Sequence, residues 1–362
     1  MQKKLRIGII APIWYTIPPD MYGGTERVVY HLVEGLVKKG HRVTLFAAGD
    51  AKTSARLIPT APRSLRKDGY GWNEYGLPLL NIYKAIERSS KFDIIHSHVD
   101  EFALFFSKLI RTPMVSTAHN PFDRRFYYRN NKRFTYSRLQ VYDHFYPHPI
   151  ISISDAQKRV AKILGNFVGT VYNGIDVSMY RYNPNPQNHV VWISRFGGHK
   201  GPVEAIKAAR LAGVKLVMAG HLDRENMSFF NKEIKPLLGR GKTEYIGELD
   251  QKSKNAFFGS AKALLYPANW EEPFGLVMVE AMSCGTPVVA FGRGAVPEIV
   301  KDRKTGFVVK TVEGMARAIK KIGFIRREDC REHVEKNFTI QKMVDDYEAM
   351  YYKLVARYGK KK

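Results

Sequence analysis

Short apolar runs alternate with stretches of helical spacing along the first half of the chain. The run at 5–11, LRIGIIA, is typical of a buried strand, and a loop with Gly23 and Gly24 follows it. The next stretch places apolar residues at helical spacing and ends in two lysines and Gly40, which suit a helix C-terminus. Together with the following strand, HRVTLFAA, this pattern predicts a βαβ unit with a glycine-rich first turn.

Further short apolar runs continue this alternation and end in His or Ser. They lie at 92–98, 113–119 and 149–154. In open α/β sheets, ligands bind outside the carboxyl ends of the strands. The polar side chains at these ends are therefore candidate ligand contacts.

A second series of strands separated by helical patterns begins near residue 189. Its strands are predicted at 189–195, 214–220, 243–247, 263–268, 287–292 and 306–310. The polar, proline-containing stretch 180–188 is the natural linker. The layout predicts two doubly wound α/β domains, at 1–180 and 189–340. The amphipathic helix pattern at 341–362 either packs on the second domain or crosses back toward the first.

The composition supports a globular chain with two domains. Its 362 residues fit domains of roughly 100–200 residues, and 44% hydrophobic residues suffice for packed cores. Cys284 and Cys330 are too few for a disulfide framework, which suits a reducing compartment. The N-terminus has a basic head and a short apolar run, as a signal peptide does. Pro12 interrupts the run, so a first β-strand is the favoured interpretation. No apolar run approaches the ~20 residues of a membrane span.

The formal net charge of +24 indicates either a solvated basic surface or an anionic partner. A polyanion, an anionic membrane face and an acidic substrate all fit it. Three interpretations fit the stretch 121–148: a solvated loop and helix, a face for an anionic membrane or lipid-linked acceptor, and a nucleic-acid platform. No recognised nucleic-acid-binding motif supports the third. Its aromatic residues are mixed with Arg124, Arg125, Arg129, Lys132, Arg133 and Arg138.

Two acids surround the start of a predicted apolar helix in the stretch 269–292. Glu272 precedes Pro273 and Gly275, which suit helix entry, and Glu280 lies further along the helix. The first helical turn offers N–H groups and a positive dipole end, which bind phosphates. Carboxylates suit neutral hydroxyls on either side of a diphosphate, and eight helical residues span at most ~12 Å. In the alternative interpretation, Glu272 complements the helix dipole and Glu280 is a buried acid whose oxygens are hydrogen-bonded within the protein.

A basic, glycine-rich loop follows the first strand of the second series. In SRFGGHKG, Arg195 and Lys200 flank glycines that let backbone N–H groups approach an anion. A solvated basic loop is the alternative. The position of this loop at the carboxyl end of a strand favours the anion site.

The stretch EEPFGLVMVEAMSCGTPVVA resembles the signature of the retaining nucleotide-sugar transferases of glycosyltransferase family 4, which adopt the GT-B fold. The first part of the chain is similar to a branch that includes avilamycin-type and pterin glucosyltransferases. The resemblance implies two Rossmann-like domains facing a central cleft, the first for the acceptor and the second for the donor, with the final helix crossing back. Other family motifs match in order: GGTERVV (23–29), DIIHSH (93–98), STAHN (116–120), SISDAQ (152–157), YNGID (172–176), SRFGGHKG (194–201), YIGELD (245–250) and GAVPEIV (294–300).

The resemblance also implies roles for individual donor-site residues. Glu272 would hold hydroxyls of the donor sugar, and Glu280 would hold the ribose. Arg195 and Lys200 would clamp the diphosphate and neutralise the leaving group. Gly24, in the glycine-rich loop of the first domain, would let the backbone approach the β-phosphate. The remaining donor contacts would be the N–H groups of Phe274, Gly275, Leu276 and Val277 and the turn at Gly247 against the nucleobase.

On the acceptor side, His119 matches a family histidine near the reacting sugar and joins Glu272, Arg195 and Lys200 in the implied catalytic set. Glu26 falls where the family contacts the acceptor. The strand-end histidines, His96 and His98, are acceptor candidates or structural residues. In the diphosphate loop, Gly-Gly-His stands where many relatives have a Pro-Glu type sequence, and we expect His199 to face water rather than phosphates.

The implied reaction is retaining transfer of a hexose from a nucleotide-diphosphate sugar, with UDP favoured, to a sugar, lipid-linked or small-molecule acceptor. No Asp-x-Asp pair occurs in the sequence, so we expect no metal and no cofactor. A cytoplasmic location is expected, with peripheral contact to the inner membrane face through 121–148 as an extension. The alternatives are a sugar-nucleotide 2-epimerase of the same fold and a non-catalytic basic binding protein.

Overall fold

The computed structural model describes residues 3–21, 23–122, 132–161, 163–239 and 242–359, with the backbone alone at 132–137. Contacts between residues divide the chain into two compact units. The first unit comprises Met1–Gly174 and Ile340–Lys362, and the second unit comprises Ile175–Thr339. The stretch 180–188, interpreted above as a linker, falls within the second unit.

The first unit contains a parallel sheet of seven strands in the order β3-β2-β1-β4-β5-β6-β7. Its central strands are apolar on both faces because helices cover both sides, as in other parallel sheets. The strands are β1 (Arg6–Ile10), β2 (Arg42–Ala47), β3 (Arg56–Pro59), β4 (Ile94–Ser97), β5 (Met114–Thr117), β6 (Pro149–Ser152) and β7 (Asn166–Thr170).

The helices of the first unit include the last helix of the chain. Its α-helices are Gly24–Lys38, Gly76–Glu87, Lys132–His144, Asp155–Val160 and Ile340–Tyr358, and its 3-10 helices are Ser89–Lys91 and Asp100–Leu109. The Ile340–Tyr358 helix packs on the Gly24–Lys38 helix, where a Cβ on Gly35 would lie 2.4 Å from Val344. Glu348 pairs there with Lys39 at 2.6 Å and with His41 at 2.8 Å.

The second unit contains a parallel sheet of six strands in the order β10-β9-β8-β11-β12-β13. The strands are β8 (His189–Ile193), β9 (Lys215–Ala219), β10 (Thr243–Tyr245), β11 (Ala263–Tyr266), β12 (Val288–Phe291) and β13 (Gly306–Val309). The α-helices are Pro202–Ala212, Met227–Phe229, Gln251–Gly259, Leu276–Ser283, Val296–Ile299, Val312–Lys320 and Arg327–Asn337. Shorter turns are the 3-10 segments Val177–Met179, Gly198–Lys200, Arg224–Asn226, Lys235–Leu237 and Ile322–Phe324 and the π segment Phe230–Ile234.

The two doubly wound parallel sheets confirm the predicted fold class. Each predicted apolar run contains one strand, and the first helix ends before Gly40, whose φ is 86°. Among the described helices, none has the length and apolar character needed to cross a bilayer.

Candidate functional site

Glu272 is the centre of a buried polar cluster in the second unit. Its side chain follows β11, and the residue is 7% exposed. The Oε2 atom accepts hydrogen bonds from Lys200 Nζ at 2.9 Å, from Trp270 Nε1 at 2.8 Å and from the Tyr266 hydroxyl. The Lys200 ammonium also lies 4.0 Å from the centre of the Trp270 ring, a cation–π geometry. Three donors and one ring therefore fix the carboxylate and the cation in a single arrangement.

The backbone at Glu272 is held by the loop that follows β12. Ala295 N donates to Glu272 O at 2.8 Å, and Gly294 N donates to Glu271 Oε2 at 2.8 Å. Gly294 has a φ of 56°, and a Cβ there would lie 2.3 Å from both N and O of Glu272. This close approach requires glycine, and it positions the Glu272 carboxylate through its main chain.

The glycine-rich loop after β8 presents Lys200 to this cluster. Trp192 Nε1 donates to Lys200 O at 3.3 Å, and Gly201, with a φ of 70°, packs so tightly that a Cβ would lie 2.0 Å from Pro267 O. Burial lowers the pKa of Lys200, and Arg195 lowers it further, whereas Glu272 raises it. The opposing carboxylate is thus what makes a charged ammonium tolerable at this depth.

Arg195 and His199 lie on the same loop. Arg195 Nη1 is 3.6 Å from Asp223 Oδ2, and the Arg195 side chain is 34% exposed, so it remains accessible to an anion. The His199 ring packs edge-on against Trp270, with 5.2 Å between the ring centroids, and the residue is partly exposed, so its contact with water stays a prediction. Burial, with help from the two neighbouring cations, lowers the pKa of His199 to about 3, so the ring is neutral at physiological pH.

The Leu276–Ser283 helix begins directly beside the Glu272 cluster. Gly275 precedes it with a φ of 87°, and a Cβ there would meet Met278 Cε at 2.6 Å. Gly275, Leu276 and Val277 are partly exposed, whereas the Phe274 side chain is buried. The first turn of an α-helix directs N–H groups outward, so an anion at this end would meet backbone donors and the positive end of the helix dipole.

Glu280 lies deeper in the same helix and is 2% exposed. Lys254 Nζ approaches its two carboxylate oxygens at 3.3 and 3.4 Å. This partner was not identified from the sequence, because Lys254 lies on a separate helix, Gln251–Gly259. Glu280 also contributes, after burial, to raising the pKa of Cys284 to about 12.

Gly247 follows β10 with a φ of 86°, and no heavy atom lies within 4 Å of where its Cβ would be. Its carbonyl accepts a hydrogen bond from Gly220 N at 2.9 Å. The backbone therefore presents an open face at this turn, and the nucleobase contact stays a prediction.

In the first unit, the strand-end histidines form a connected group. His96 Nδ1 lies 2.6 Å from the Tyr351 hydroxyl, and His96 Nε2 lies 2.8 Å from Thr117 Oγ1. His98 Nδ1 lies 2.9 Å from His119 Nε2. His96 and His98 are buried, at 0% and 1% exposed, whereas His119 is partly exposed. The acceptor role of the two buried rings stays a prediction, and His119 is the member of the group that solvent reaches.

Burial fixes the protonation state of these rings. It lowers the pKa of His119 to about 4, with Asp100 acting in the opposite direction, and it lowers the pKa of His98 well below its ordinary value. Both rings are therefore neutral near pH 7, and one nitrogen of the His98–His119 pair donates while the other accepts. His98 Nε2 is buried and has no hydrogen-bond partner in the described part of the chain.

A polar cluster beside His119 was not found from the sequence. Asp100, with a φ of 48°, accepts a hydrogen bond from Asn120 Nδ2 at 2.6 Å, and Arg138 lies 3.4 Å from the same oxygen. Arg138 Nε is also 2.6 Å from Glu101 Oε1. Arg138 is thus occupied by two acids. The other five cations named in 121–148 lie outside the residues or side chains that the structure describes.

Glu26 lies in the first turn of the Gly24–Lys38 helix and is 5% exposed, and Gly24 begins this helix at an exposed position. Burial raises the pKa of Glu26 to about 7, against smaller opposing effects of backbone hydrogen bonding and Arg27. A buried acid with a raised pKa is a common feature of functional sites, although structural networks also produce it.

The Glu26→Gln variant is expected to be more stable than the parent at pH 8 and nearly equal to it at pH 5. Between pH 4.5, the ordinary pKa, and pH 7, the folded chain keeps the Glu26 proton while the unfolded chain loses it. The parent therefore loses stability as pH rises through this window, by roughly 3 kcal/mol. Urea unfolding at both pH values measures the difference, and an equal effect at pH 5 and pH 8 would contradict the raised pKa.

No set of three or more His, Cys, Asp or Glu side chains able to hold a metal ion is present among the described residues.

Two family models match consecutive parts of the chain. The model for Glycosyltransferase Family 4 matches residues 22–179, and the model for Glycosyl transferases group 1 matches residues 181–337. A phosphatidyl-myo-inositol mannosyltransferase of Mycolicibacterium smegmatis is 25% identical over 90% of this chain and 86% of its own length.

Solved structures share the fold over nearly the whole chain. AviGT4, a glycosyltransferase involved in avilamycin A biosynthesis, superposes with a TM-score of 0.71 and 21% identity, covering 97% of this chain and 98% of its own. Anabaena HepE, in complex with UDP and glucose, superposes with a TM-score of 0.73 and 18% identity, covering 96% and 99%. With both family models matched in order and both sheets of the expected kind, the chain belongs to glycosyltransferase family 4 and is a glycosyltransferase of the GT-B fold.

Proposed function

We propose that this glycosyltransferase moves a hexose, with retention of anomeric configuration, from a nucleotide-diphosphate sugar to an acceptor hydroxyl. The observation that carries the proposal is the Glu272–Lys200 pair, buried beside the start of the Leu276–Ser283 helix. An acid, a cation and a helix N-terminus within one loop cluster offer contacts for a sugar and a diphosphate together.

The diphosphate is assigned to the two cations and the helix start. Negative charge builds on the β-phosphate oxygens as the bond to the sugar breaks, and preorganised donors stabilise that charge. Lys200 and Arg195 supply cations, and the N–H groups of the helix start supply fixed dipoles. Because Glu272 already positions Lys200, the lysine side chain reorganises little when the leaving group forms.

Glu272 and Glu280 are assigned to the neutral ends of the donor. A carboxylate accepts hydrogen bonds from sugar hydroxyls, and both acids are held in place by lysines, Glu272 by Lys200 and Glu280 by Lys254. We favour UDP as the nucleotide because HepE, of similar fold, was solved with UDP and glucose.

The acceptor is assigned to residues of the first unit. His119 is neutral near pH 7 and partly exposed, which suits a hydrogen bond to a sugar hydroxyl or to the acceptor, and Glu26 is a second contact. The named activity of the M. smegmatis relative makes a lipid-linked acceptor one of the candidates, beside sugars and small molecules. With a lipid acceptor, the enzyme would act at the cytoplasmic face of the membrane.

We propose that transfer needs no metal ion, because Lys200, Arg195 and the helix start supply the charge that a divalent ion would bring to the diphosphate. Turnover is therefore expected to persist at full rate in excess EDTA. The measurement compares initial rates with EDTA and with EDTA followed by magnesium. Loss of turnover that magnesium restores would contradict the proposal.

A panel of nucleotide sugars tests the donor directly. The true donor, at about 100 times its dissociation constant, is expected to stabilise the chain by ~2.7 kcal/mol, seen as a rise in melting temperature. Incubation of that donor alone, followed by product analysis, separates the alternatives. An isomerised sugar nucleotide would indicate an epimerase, and the absence of any stabilising donor would favour a non-catalytic basic protein.

A further inference from the structure

A basic crevice lies at the amino ends of the first three strands of the first unit. Its cavity has a volume of about 260 Å³. It is lined by Arg6, Arg42, Val43, Thr44, Arg56, Ile58, Arg88, Lys91 and Phe92. His96, His98 and His119 lie at or beyond the carboxyl ends of β4 and β5. The crevice therefore lies at the opposite end of the strands from these histidines.

The strand register places three of these arginines on one face. In the strand register, Arg6 of β1 lies opposite Arg42 of β2. Thr44, two residues further along β2, lies opposite Arg56 of β3. Partners in a parallel pair and residues two apart point to the same face. Phe92 covers this face, because a Cβ on Gly8 would lie 3.1 Å from its ring. The turn from Arg88 to Phe92 therefore closes the crevice above the arginines.

The charges in the crevice are not balanced. Arg6 pairs with Asp93 at 2.8 Å, and Arg88 pairs with Glu87. Within the described ranges, no acid is ion-paired with the remaining three cations, Arg42, Arg56 and Lys91. Like charges that line one cavity repel each other, and the repulsion is weaker where solvent screens them. Arg42 and Arg56 on the sheet and Lys91 on the turn above it surround the cavity, so an anion that enters it would reduce their mutual repulsion.

We propose that this basic crevice binds a phosphate-bearing group through Arg42, Arg56 and Lys91. Guanidinium groups match the geometry of phosphate oxygens with paired hydrogen bonds. The cavity volume of about 260 Å³ accommodates a compact phosphate-bearing group. The crevice residues all belong to the first unit, and none of them is among the residues assigned above to the donor.

Such a group has two sources, a soluble polyphosphate or the headgroup of an anionic lipid. The helix Gly76–Glu87, which leads directly into Arg88, exposes Leu79, Leu80 and Tyr83 at 37%, 41% and 52%. Exposed apolar side chains on the helix that leads into the crevice suit an interface with lipid, whereas the concave shape of the crevice suits a soluble anion equally. The experiment below separates the two sources.

The test uses the full-length chain with Arg42→Gln and Lys91→Gln together. A matched control carries Lys52→Gln and Arg111→Gln, which remove the same charge from exposed positions of the first unit outside the crevice. Binding of inorganic pyrophosphate is measured by calorimetry. Binding to phosphatidylcholine vesicles with and without phosphatidic acid is measured by co-sedimentation. Arg56→Gln alone serves as a second crevice variant, and melting curves check that all chains fold.

The crevice variant is expected to lose at least tenfold in affinity for one of the two probes, while the control keeps the affinity of the parent. Pyrophosphate bound at the donor site is a background common to all chains, so the difference between crevice and control variants reports the crevice alone. Loss toward pyrophosphate identifies a soluble anion, and loss confined to phosphatidic acid vesicles identifies a lipid headgroup. Equal binding by crevice and control variants to both probes would overturn the proposal, whatever the outcome for sugar transfer.

Discussion

Replacing Glu272 by Gln is expected to lower kcat/KM for sugar transfer by about 100- to 1000-fold. The carboxylate receives Lys200, Trp270 and Tyr266 at one oxygen, and an amide cannot hold the ammonium in the same way. The Lys200 side chain would then lose its fixed position for the leaving diphosphate. Steady-state kinetics with the donor identified by the thermal panel measures the effect.

The control for this variant is Glu244→Gln. Glu244 also pairs with a lysine, Lys215, at 2.8 Å, but both side chains are about half exposed, and exposed pairs contribute little. Breaking the buried Glu272–Lys200 pair costs about 3–5 kcal/mol of stability, so activity is compared at a temperature where melting curves show both variants folded. If the folded Glu272→Gln enzyme kept the parental kcat/KM, the assignment of Glu272 to the donor site would be wrong.

The strands of both sheets were predicted from apolar runs, with two exceptions at the edges of the first sheet. β3 and β7, Arg56–Pro59 and Asn166–Thr170, are edge strands and lack a buried apolar run. An edge strand has a neighbour on one side, so its sequence carries a weaker hydrophobic signal. Their pairing depends on the neighbouring strand, which a local pattern does not reveal.

The donor-site residues were named from the sequence, but their contacts were not. Glu272 and Lys200 are 72 residues apart, and no local pattern shows that they form one ion pair. Trp270 and Tyr266 were missed because an aromatic residue near a strand end more often belongs to the core than to a binding site. Lys254, the partner of Glu280, carries no motif at all.

The first unit shows the same limit more strongly. His96 contacts Tyr351, 255 residues away on the final helix, so the environment that keeps the ring neutral is assembled only by folding. Asn120, from the STAHN motif, bonds to Asp100 at the start of the Asp100–Leu109 helix, and no local pattern shows that these two segments meet. The histidines were visible as a strand-end pattern, and their protonation states required the burial that the structure shows.

Replacing Gly294 by Ala is expected to destabilise the second unit by about 2–5 kcal/mol and to lower kcat/KM at least tenfold. A side chain at a φ of 56° costs about 1–2 kcal/mol by itself. The added methyl group would also lie 2.3 Å from the main-chain N and O of Glu272, so the loop carrying the acid must move. Displacements of this kind reduce catalysis even when every catalytic side chain is present.

Gly213→Ala is the matched control for this loop. Gly213 has a φ of 72°, and no atom lies within 4 Å of its Cβ position, so its replacement is expected to cost about 1 kcal/mol and leave turnover unchanged. Urea unfolding and steady-state kinetics of both variants separate the conformational cost, which they share, from the collision with Glu272, which Gly294→Ala alone introduces. If the two variants proved equally stable and equally active, the main chain of Glu272 would not be held by this glycine, and the rigidity assigned to the acid would need another source.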